Sequence, residues 1–113
     1  MPAFEAKPGM PYWQDLVTTQ PQKAAYFYGK LLGWEVSNDA YRVARKEGLP
    51  VAGIVGAETD LLGWTPYFLG LGTDGVETLG GEVISTADVA LGQMTICQDR
   101  TGCPFGSVSY THL

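Results

Sequence analysis

Apolar and polar positions in the first third of the chain change from a period of two to a helical period, and this change predicts its first elements. In the predicted strand from Tyr12 to Thr18, one set of side chains alternates with another at a period of two, which gives the strand two different faces; the sets are Trp13, Asp15 and Val17, and Tyr12, Gln14 and Leu16. Between Pro21 and Leu32 the apolar residues recur every three or four positions, which is typical of an amphipathic helix. Gly33 is placed to end that helix in a left-handed conformation.

Shorter alternating runs separated by turn residues predict the remaining elements. In the first half we expect further strands at about residues 34–37, 41–45 and 49–55. The second half repeats this order with strands at about 65–71, 82–86, 93–97 and 104–110. Its helical segment, at about residues 74–79, is short and is weakened by Gly75. The sequence therefore predicts one α+β domain, residues 1–113, with β-α-β-β-β modules at about 11–56 and 64–110, the second helix being shortened.

The composition of the chain argues against nucleic acids and membranes as partners. The chain has 113 residues, of which 45% are hydrophobic and 17% charged, with a formal net charge of −5. This acidic balance lacks the basic footprint that nucleic acid or an anionic membrane surface requires. No apolar run is long enough to span a bilayer, and the N-terminal residues do not resemble a secretory signal. We therefore expect a cytoplasmic protein with no nucleic-acid or membrane partner.

The two cysteines flank one predicted turn. Cys97 and Cys103 are the only pair available, and a disulfide framework is not expected in a cytoplasmic chain. Two thiols without a nearby histidine or a second pair make a poor zinc site. We interpret both as small, partly buried residues, with a reactive thiol at Cys103 as the alternative.

A set of separated motifs resembles one known family. The first module reads strand, Thr-Thr-x-Pro, helix, and then Phe-Tyr-x-x-Leu-Leu-Gly-Trp-Glu-Val. This pattern resembles the first module of the glyoxalase/bleomycin-resistance/extradiol-dioxygenase group, the vicinal-oxygen-chelate superfamily. Further motifs at residues 49–54, 64–67 and 99–106 follow in the order of that family, so the resemblance covers about 11–110. It implies a curved mixed sheet around a cleft, but the superfamily hosts many chemistries and includes members that only bind.

The resemblance also implies where a metal would be held, and there the chain departs from the family. The three ligand positions fall on Trp13, at or near Thr65, and on Gly106. An indole, a hydroxyl and a glycine do not make a divalent metal site. The only histidine, His112, is next to last in the chain and is expected to be a terminal residue rather than a ligand. The resemblance thus implies a member without a metal or other cofactor.

The inward face of the first strand holds the candidate binding residues. Trp13 and Asp15 lie two positions apart, so they share one face. Trp13 is predicted to form a stacking wall for a ligand, or else to be core filler. A carboxylate such as Asp15 on an inward face is unfavourable unless it is paired, hydrated or used. It would anchor a cationic or hydroxyl-bearing ligand or act as an acid or base; alternatively it reaches water at the open end of the sheet or pairs with Arg42 or Arg45. The predicted ligand-binding set is Trp13, Asp15, Thr65, Tyr67 and Gly106.

Three classes of function follow from this reading. The first is a metal-free protein that binds a small, partly aromatic molecule. The second is a metal-independent enzyme that uses Asp15 as acid or base, with a tyrosine as partner. The third is a structural subunit without a small-molecule site. A homodimer is expected because the shortened second helix leaves sheet surface to be covered. Phe27 is expected at a helix–sheet contact, where its replacement by alanine would cost about 3–5 kcal/mol.

Overall fold

Eight strands and two helices follow the predicted order. The computed structural model describes residues 7–58, 62–70, 74–89 and 92–110. Within these residues the chain forms two compact units, one from residues 13–65 and the other from residues 7–12 and 66–110. The α+β class and the repeated strand–helix–strand order are confirmed. The elements are β1 (Pro11–Thr18), α1 (Pro21–Leu32), β2 (Glu35–Val36), β3 (Tyr41–Lys46), β4 (Leu49–Gly56), β5 (Gly63–Leu69), α2 (Asp74–Thr78), β6 (Glu82–Val89), β7 (Gly92–Gln98) and β8 (Pro104–Tyr110).

Helix α1 begins and ends where the sequence predicts. Pro21 occupies its first turn, where the missing N–H leaves no hydrogen bond unmade. Gly33 follows its last residue with φ of 72°, a left-handed conformation that suits glycine. The Gly33 amide donates to the carbonyl of Gly29 at 3.0 Å and closes the last turn. Two residues with special backbone geometry therefore fix the length of the helix.

In the first unit four strands pair in the order β2-β3-β4-β1. Strands β1 and β4 are parallel, with Asp15 opposite Gly53, while β2–β3 and β3–β4 are antiparallel. A register shift lies between Ala44 and Arg45. The Pro21 ring of α1 lies against Gly56, so α1 covers the face of β4 that carries Ala52 and Ile54. The buried apolar side chains of this face are Leu16, Ala44, Ala52 and Ile54.

The outer side of α1 is much more exposed than the sequence suggests. Phe27 is 56% exposed and Leu31 is 63% exposed, and none of the helix residues is classed as buried. The expectation that Phe27 is a fully packed helix–sheet contact is therefore wrong. Helical periodicity identifies an apolar stripe, but it does not show how deeply each member of the stripe is covered.

In the second unit the strands pair in the order β5-β8-β7-β6. Strands β5 and β8 are parallel, with Tyr67 opposite Gly106, and the other two pairs are antiparallel. Helix α2 has only five residues, so the prediction of a shortened second helix is confirmed. The buried apolar residues among the described part of this unit are Tyr67, Cys97 and Val108.

Some strand bounds differ from the predictions, and β5 covers Gly63–Leu69 rather than about 65–71. Strand β6 continues to Val89, beyond the predicted end at Thr86, because it stays paired with β7 along its whole length. The described part of the segment before β1 is held by backbone hydrogen bonds: the Gly9 amide donates to the carbonyl of Leu69, and the Leu69 amide donates to the carbonyl of Met10. Residues 1–6 of that segment, and His112, lie outside the described residues. None of the helices described here has the length and apolar character of a membrane span.

Candidate functional site

Strand alternation places Trp13 and Asp15 on the face of β1 opposite to Leu16. Leu16 is paired with Ile54 and lies on the face covered by α1. Asp15 is only 5% exposed, although it is a carboxylate in the middle of a strand. The two residues predicted to lie together on the inward face are therefore adjacent, and one of them is a buried charge.

A tyrosine from β3 completes this cluster. The indole nitrogen of Trp13 donates to Asp15 Oδ1 at 2.9 Å and also lies 2.9 Å from the Tyr41 hydroxyl. The Tyr41 hydroxyl donates to the same Oδ1 at 2.5 Å. Both donors thus converge on one carboxylate oxygen. We call Trp13, Asp15 and Tyr41 the carboxylate cluster.

Gly53 makes this convergence possible. It is the residue of β4 directly opposite Asp15, and it is buried. A Cβ at this position would collide with the Tyr41 hydroxyl and with Asp15 Oδ1. Glycine therefore leaves the space into which the two polar side chains meet across the strand.

The two carboxylate oxygens of Asp15 differ in their hydrogen bonds. No described residue donates a hydrogen bond to Oδ2. Every fully buried side-chain nitrogen or oxygen in the described part of the chain has a hydrogen-bond partner, so Oδ2 must keep some contact with solvent. The alternative of an arginine partner is not realised: the donors to Asp15 among the described residues are Trp13 and Tyr41 rather than Arg42 or Arg45, and Arg42 bonds Asn38 Oδ1 at 2.7 Å. Asp15 thus offers one satisfied oxygen and one open oxygen.

The corresponding positions of the second module hold a packed aromatic ring. Tyr67 of β5 is opposite Gly106 of β8, just as Asp15 is opposite Gly53. A Cβ on Gly106 would collide with the Tyr67 ring, so the ring occupies the space above this glycine. Tyr67 is buried, and so is Thr65, two positions earlier. Within their own units, the structure brings Trp13 together with Asp15, and Tyr67 together with Gly106.

An aromatic cluster in the first unit accounts for the motif residues around the end of α1. Tyr28 stacks on Trp34 with ring centroids 5.6 Å apart, and Trp64 meets Tyr28 edge-on at 5.3 Å. The Trp64 indole also donates to the Tyr28 hydroxyl at 3.1 Å. Phe27 adds a further edge contact to Tyr28 at 5.0 Å. These contacts give the motif residues a packing role.

A surface pocket of about 390 Å³ lies beside α2 in the second unit. Its apolar lining comes from Val76, Leu79 and Phe105. Asp99 also borders it, but its Oδ1 accepts hydrogen bonds from the amides of Thr101 and Cys103 at 2.8 and 3.0 Å. The Thr101 hydroxyl, together with these amides, lowers the pKa of Asp99 below its ordinary value. The Asp99 carboxylate therefore stabilises the turn between β7 and β8.

The two cysteines are both free thiols in different surroundings. Cys97 is buried and Cys103 is exposed. Burial raises the pKa of the Cys97 thiol, since a thiolate loses hydration there. Cys97 is therefore the less reactive of the two.

Solved structures identify the fold. No protein-family model matches this chain, and no curated protein matches it. A glyoxalase/bleomycin resistance protein/dioxygenase superfamily member from Vibrio splendidus 12B01 aligns with a TM-score of 0.61 over 89% of this chain and 99% of its own, at 13% identity. The chain has the glyoxalase/bleomycin-resistance/dioxygenase fold.

Two other structures of this fold show how the chain compares in length. A hypothetical protein from Bacillus halodurans C-125 aligns with a TM-score of 0.60 over 92% of this chain and 96% of its own, at 10% identity. A variant of homoprotocatechuate 2,3-dioxygenase from B. fuscum aligns with a TM-score of 0.59 over 99% of this chain but only 36% of the dioxygenase, at 18% identity. At identities this low, structural similarity establishes the fold but does not show the activity.

The donor atoms at the positions that the glyoxalase-like fold would use for a metal do not fit a divalent cation. Trp13 presents an indole N–H that is already donating to Asp15 and Tyr41. Thr65 supplies at most a hydroxyl, and Gly106 has no side chain. Within the described residues no three His, Cys, Asp or Glu side chains lie close enough to share an ion. We therefore derive no chemistry through a metal at these positions.

Tyr41 and Gly53 are the site residues that sequence reasoning did not single out. The residue that Tyr41 contacts, Asp15, lies 26 positions away on β1, so spacing within β3 does not indicate it. A signal was present in Gly53, because an isolated glycine inside a strand often marks a close approach of other groups. Without the pairing of β1, β4 and β3, that signal does not identify which side chains approach.

Proposed function

We propose that this chain is a metal-free small-molecule-binding protein of the glyoxalase/bleomycin-resistance fold, and that the carboxylate cluster anchors its ligand. The observation that carries the proposal is the state of Asp15. Its Oδ1 is fixed by Trp13 and Tyr41, while Oδ2 has no donor among the described residues and keeps contact with solvent. A buried carboxylate held in one orientation with one open oxygen is suited to bind a donor from outside.

The remaining predicted ligand contacts are part of the same proposal. Thr65, Tyr67 and Gly106 are retained as candidate contacts on the grounds of the family resemblance. The packing of the Tyr67 ring over Gly106 supports a role for this ring as part of a wall. Trp13 and Tyr41 therefore provide the polar contacts that orient Asp15.

Binding is tested by nuclear magnetic resonance with a fragment set of mixed charge, using the Trp13 indole N–H as the reporter. We expect at least one fragment to shift this resonance in a saturable way in the wild-type protein. Asp15→Asn should weaken the binding of that fragment. Asp39→Asn, which removes a carboxylate at an exposed position, should leave its binding unchanged. If no fragment perturbs the carboxylate cluster, the proposed function is wrong.

The metal-free part of the proposal has its own test. Purified protein is analysed for bound metal, and its melting temperature is measured with Mn²⁺, Fe²⁺, Ni²⁺ and Zn²⁺. An ion that binds only the folded state raises the melting temperature by mass action. We expect no bound metal and no such rise. A stoichiometric metal would contradict this part of the proposal.

A second candidate function, metal-independent acid–base catalysis, is favoured by the 2.5 Å contact between Tyr41 and Asp15. A carboxylate in hydrogen-bond contact with a second ionisable group is a common arrangement for proton transfer. The test is whether a bound fragment with an acidic C–H exchanges deuterium from D₂O faster in the presence of the protein. Exchange that is equally fast with Asp15→Asn would exclude this role for the carboxylate.

We also propose a homodimer and a cytoplasmic location. Exposed apolar side chains on α1, Phe27 and Leu31 among them, support self-association. Two free thiols support a reducing compartment. Sedimentation of the wild-type protein and of Leu31→Glu tests the dimer. A wild-type monomer at all concentrations, or a dimer unaffected by this variant, would exclude association through α1.

A further inference from the structure

The charge of Asp15 is not balanced within the described part of the chain. Its side chain is 95% buried, given an exposure of 5%, yet the hydrogen bonds it accepts come from an indole and a phenol, both neutral donors. Among the described residues Asp15 accepts no bond from Arg42 or Arg45, and Arg42 is bonded to Asn38. A buried carboxylate without a counter-charge is unfavourable, because neutral donors replace only part of its lost hydration.

The geometry leaves one place for a compensating group. Oδ1 already accepts from Trp13 and Tyr41, whereas Oδ2 has no donor among the described residues. Oδ2 is also the oxygen that keeps contact with solvent. A group arriving from solvent therefore meets an acceptor that carries negative charge and has lone pairs available.

The two side chains that hold Oδ1 also favour a cation at this carboxylate. Trp13 is partly exposed and Tyr41 is 40% exposed, and each is in hydrogen-bond contact with Asp15, so two partly exposed rings lie beside the carboxylate. Aromatic faces attract cations and disfavour anions. The net charge of −5 acts in the same direction at longer range.

We infer that the ligand held by the carboxylate cluster is a small aromatic or aliphatic molecule bearing a protonated primary or secondary amine, whose N–H donates to Asp15 Oδ2. This inference rests on the proposed binding function and adds the chemical class of the ligand. A neutral hydroxyl would supply the hydrogen bond but not the charge. A quaternary ammonium would supply the charge but not the hydrogen bond.

The test compares four probes of similar size: benzylamine, benzyl alcohol, benzoate and benzyltrimethylammonium. Binding is followed through the Trp13 indole resonance and by calorimetry at neutral pH. We expect benzylamine to bind at least about tenfold more tightly than the alcohol, since a charge-assisted hydrogen bond is roughly twice as strong as a neutral one. Benzyltrimethylammonium should fall between them, and benzoate should not bind.

Variants locate the interaction. Asp15→Asn should reduce benzylamine binding to the level of the alcohol, and Asp39→Asn should leave it unchanged. The comparison among the four probes uses only the wild-type protein, so it stands even if Asp15→Asn does not fold.

The outcomes separate this inference from the proposed function. If benzyl alcohol or benzoate binds as tightly as benzylamine at the carboxylate cluster, small-molecule binding holds and the amine class is wrong. If benzylamine binds equally well to a folded Asp15→Asn, Asp15 is not its anchor. If none of the four probes binds, the amine class is overturned, and the mixed-charge fragment screen then decides the binding function by itself.

Discussion

Gly53→Ala is the substitution that tests the carboxylate cluster most directly. The added Cβ would collide with the Tyr41 hydroxyl and with Asp15 Oδ1, so the Tyr41 ring has to move away. Two hydrogen bonds are then lost: one to a carboxylate, worth about 1.5–3 kcal/mol, and one between neutral groups, worth about 0.5–1.5 kcal/mol. Replacing glycine in a strand returns about 0.4–1 kcal/mol through the unfolded state. Because water replaces part of what the half-exposed Tyr41 loses, we expect a net destabilisation of about 2 kcal/mol.

The reason for this loss is tested by a double-mutant cycle. In a Tyr41→Ala background one of the two collisions is absent, so Gly53→Ala should cost at least about 1 kcal/mol less than in the wild type. The free energy of unfolding is measured by urea titration followed by far-ultraviolet circular dichroism. Gly75→Ala is the control, because its Cβ would meet only a Leu79 methyl at 3.9 Å. If the double mutant loses the sum of the losses of Gly53→Ala and Tyr41→Ala, to within about 0.5 kcal/mol, the proposed collision is refuted.

Three further predictions concern the burial of core residues, the lowered pKa of Asp99 and the raised pKa of Cys97. Ile54→Ala should lower the free energy of unfolding by about 2–5 kcal/mol, whereas Phe27→Ala, at a half-exposed position, should lower it by about 1 kcal/mol. Equal losses in urea titration would contradict the burial assigned to the two residues. The pKa of Asp99 should lie below 3.8 in the folded protein, so its contribution to stability is present at neutral pH and is lost as the pH falls through that lowered value. Carboxyl-carbon resonances checked against Asp99→Asn measure this pKa, and a value of 3.8 or above would be contrary to the turn geometry. A thiol reagent should modify Cys103 quickly and Cys97 only on unfolding, because burial raises the pKa of Cys97; equal rates in the native protein would disprove its burial.

The elements that could be predicted from sequence are those set by local rules. Pro21 and Gly33 bound α1 because each has a backbone preference that belongs to one end of a helix. The shortened α2 was foreseeable because the segment around Gly75 is brief and carries a helix-weakening residue. The depth of burial was not foreseeable, and Phe27 shows why. Exposure depends on what packs above a helix, and spacing along one helix carries no information about that.

The carboxylate cluster was predictable only in part. Alternation along β1 is enough to put Trp13 and Asp15 on the same face, since it depends on neighbouring residues alone. Tyr41 joins them through the pairing of β3 with β4 and of β4 with β1, including a register shift before Arg45. A shift of one residue would turn the tyrosine to the other face, so its role could not be assigned without the register.

The parallel pairing of β1 with β4 has a consequence for the order in which this cluster forms and opens. Residues 15 and 53 are 38 positions apart, whereas β3 and β4 pair through a turn at Glu47 and Gly48. Contacts that close long loops form late in folding, and local hairpins form early. Asp15 would thus meet Tyr41 only after the β3–β4 hairpin is in place. Loosening of β1 alone would release the carboxylate while the hairpin persists, so hydrogen exchange along β1 would report the opening through which the proposed ligand enters and leaves.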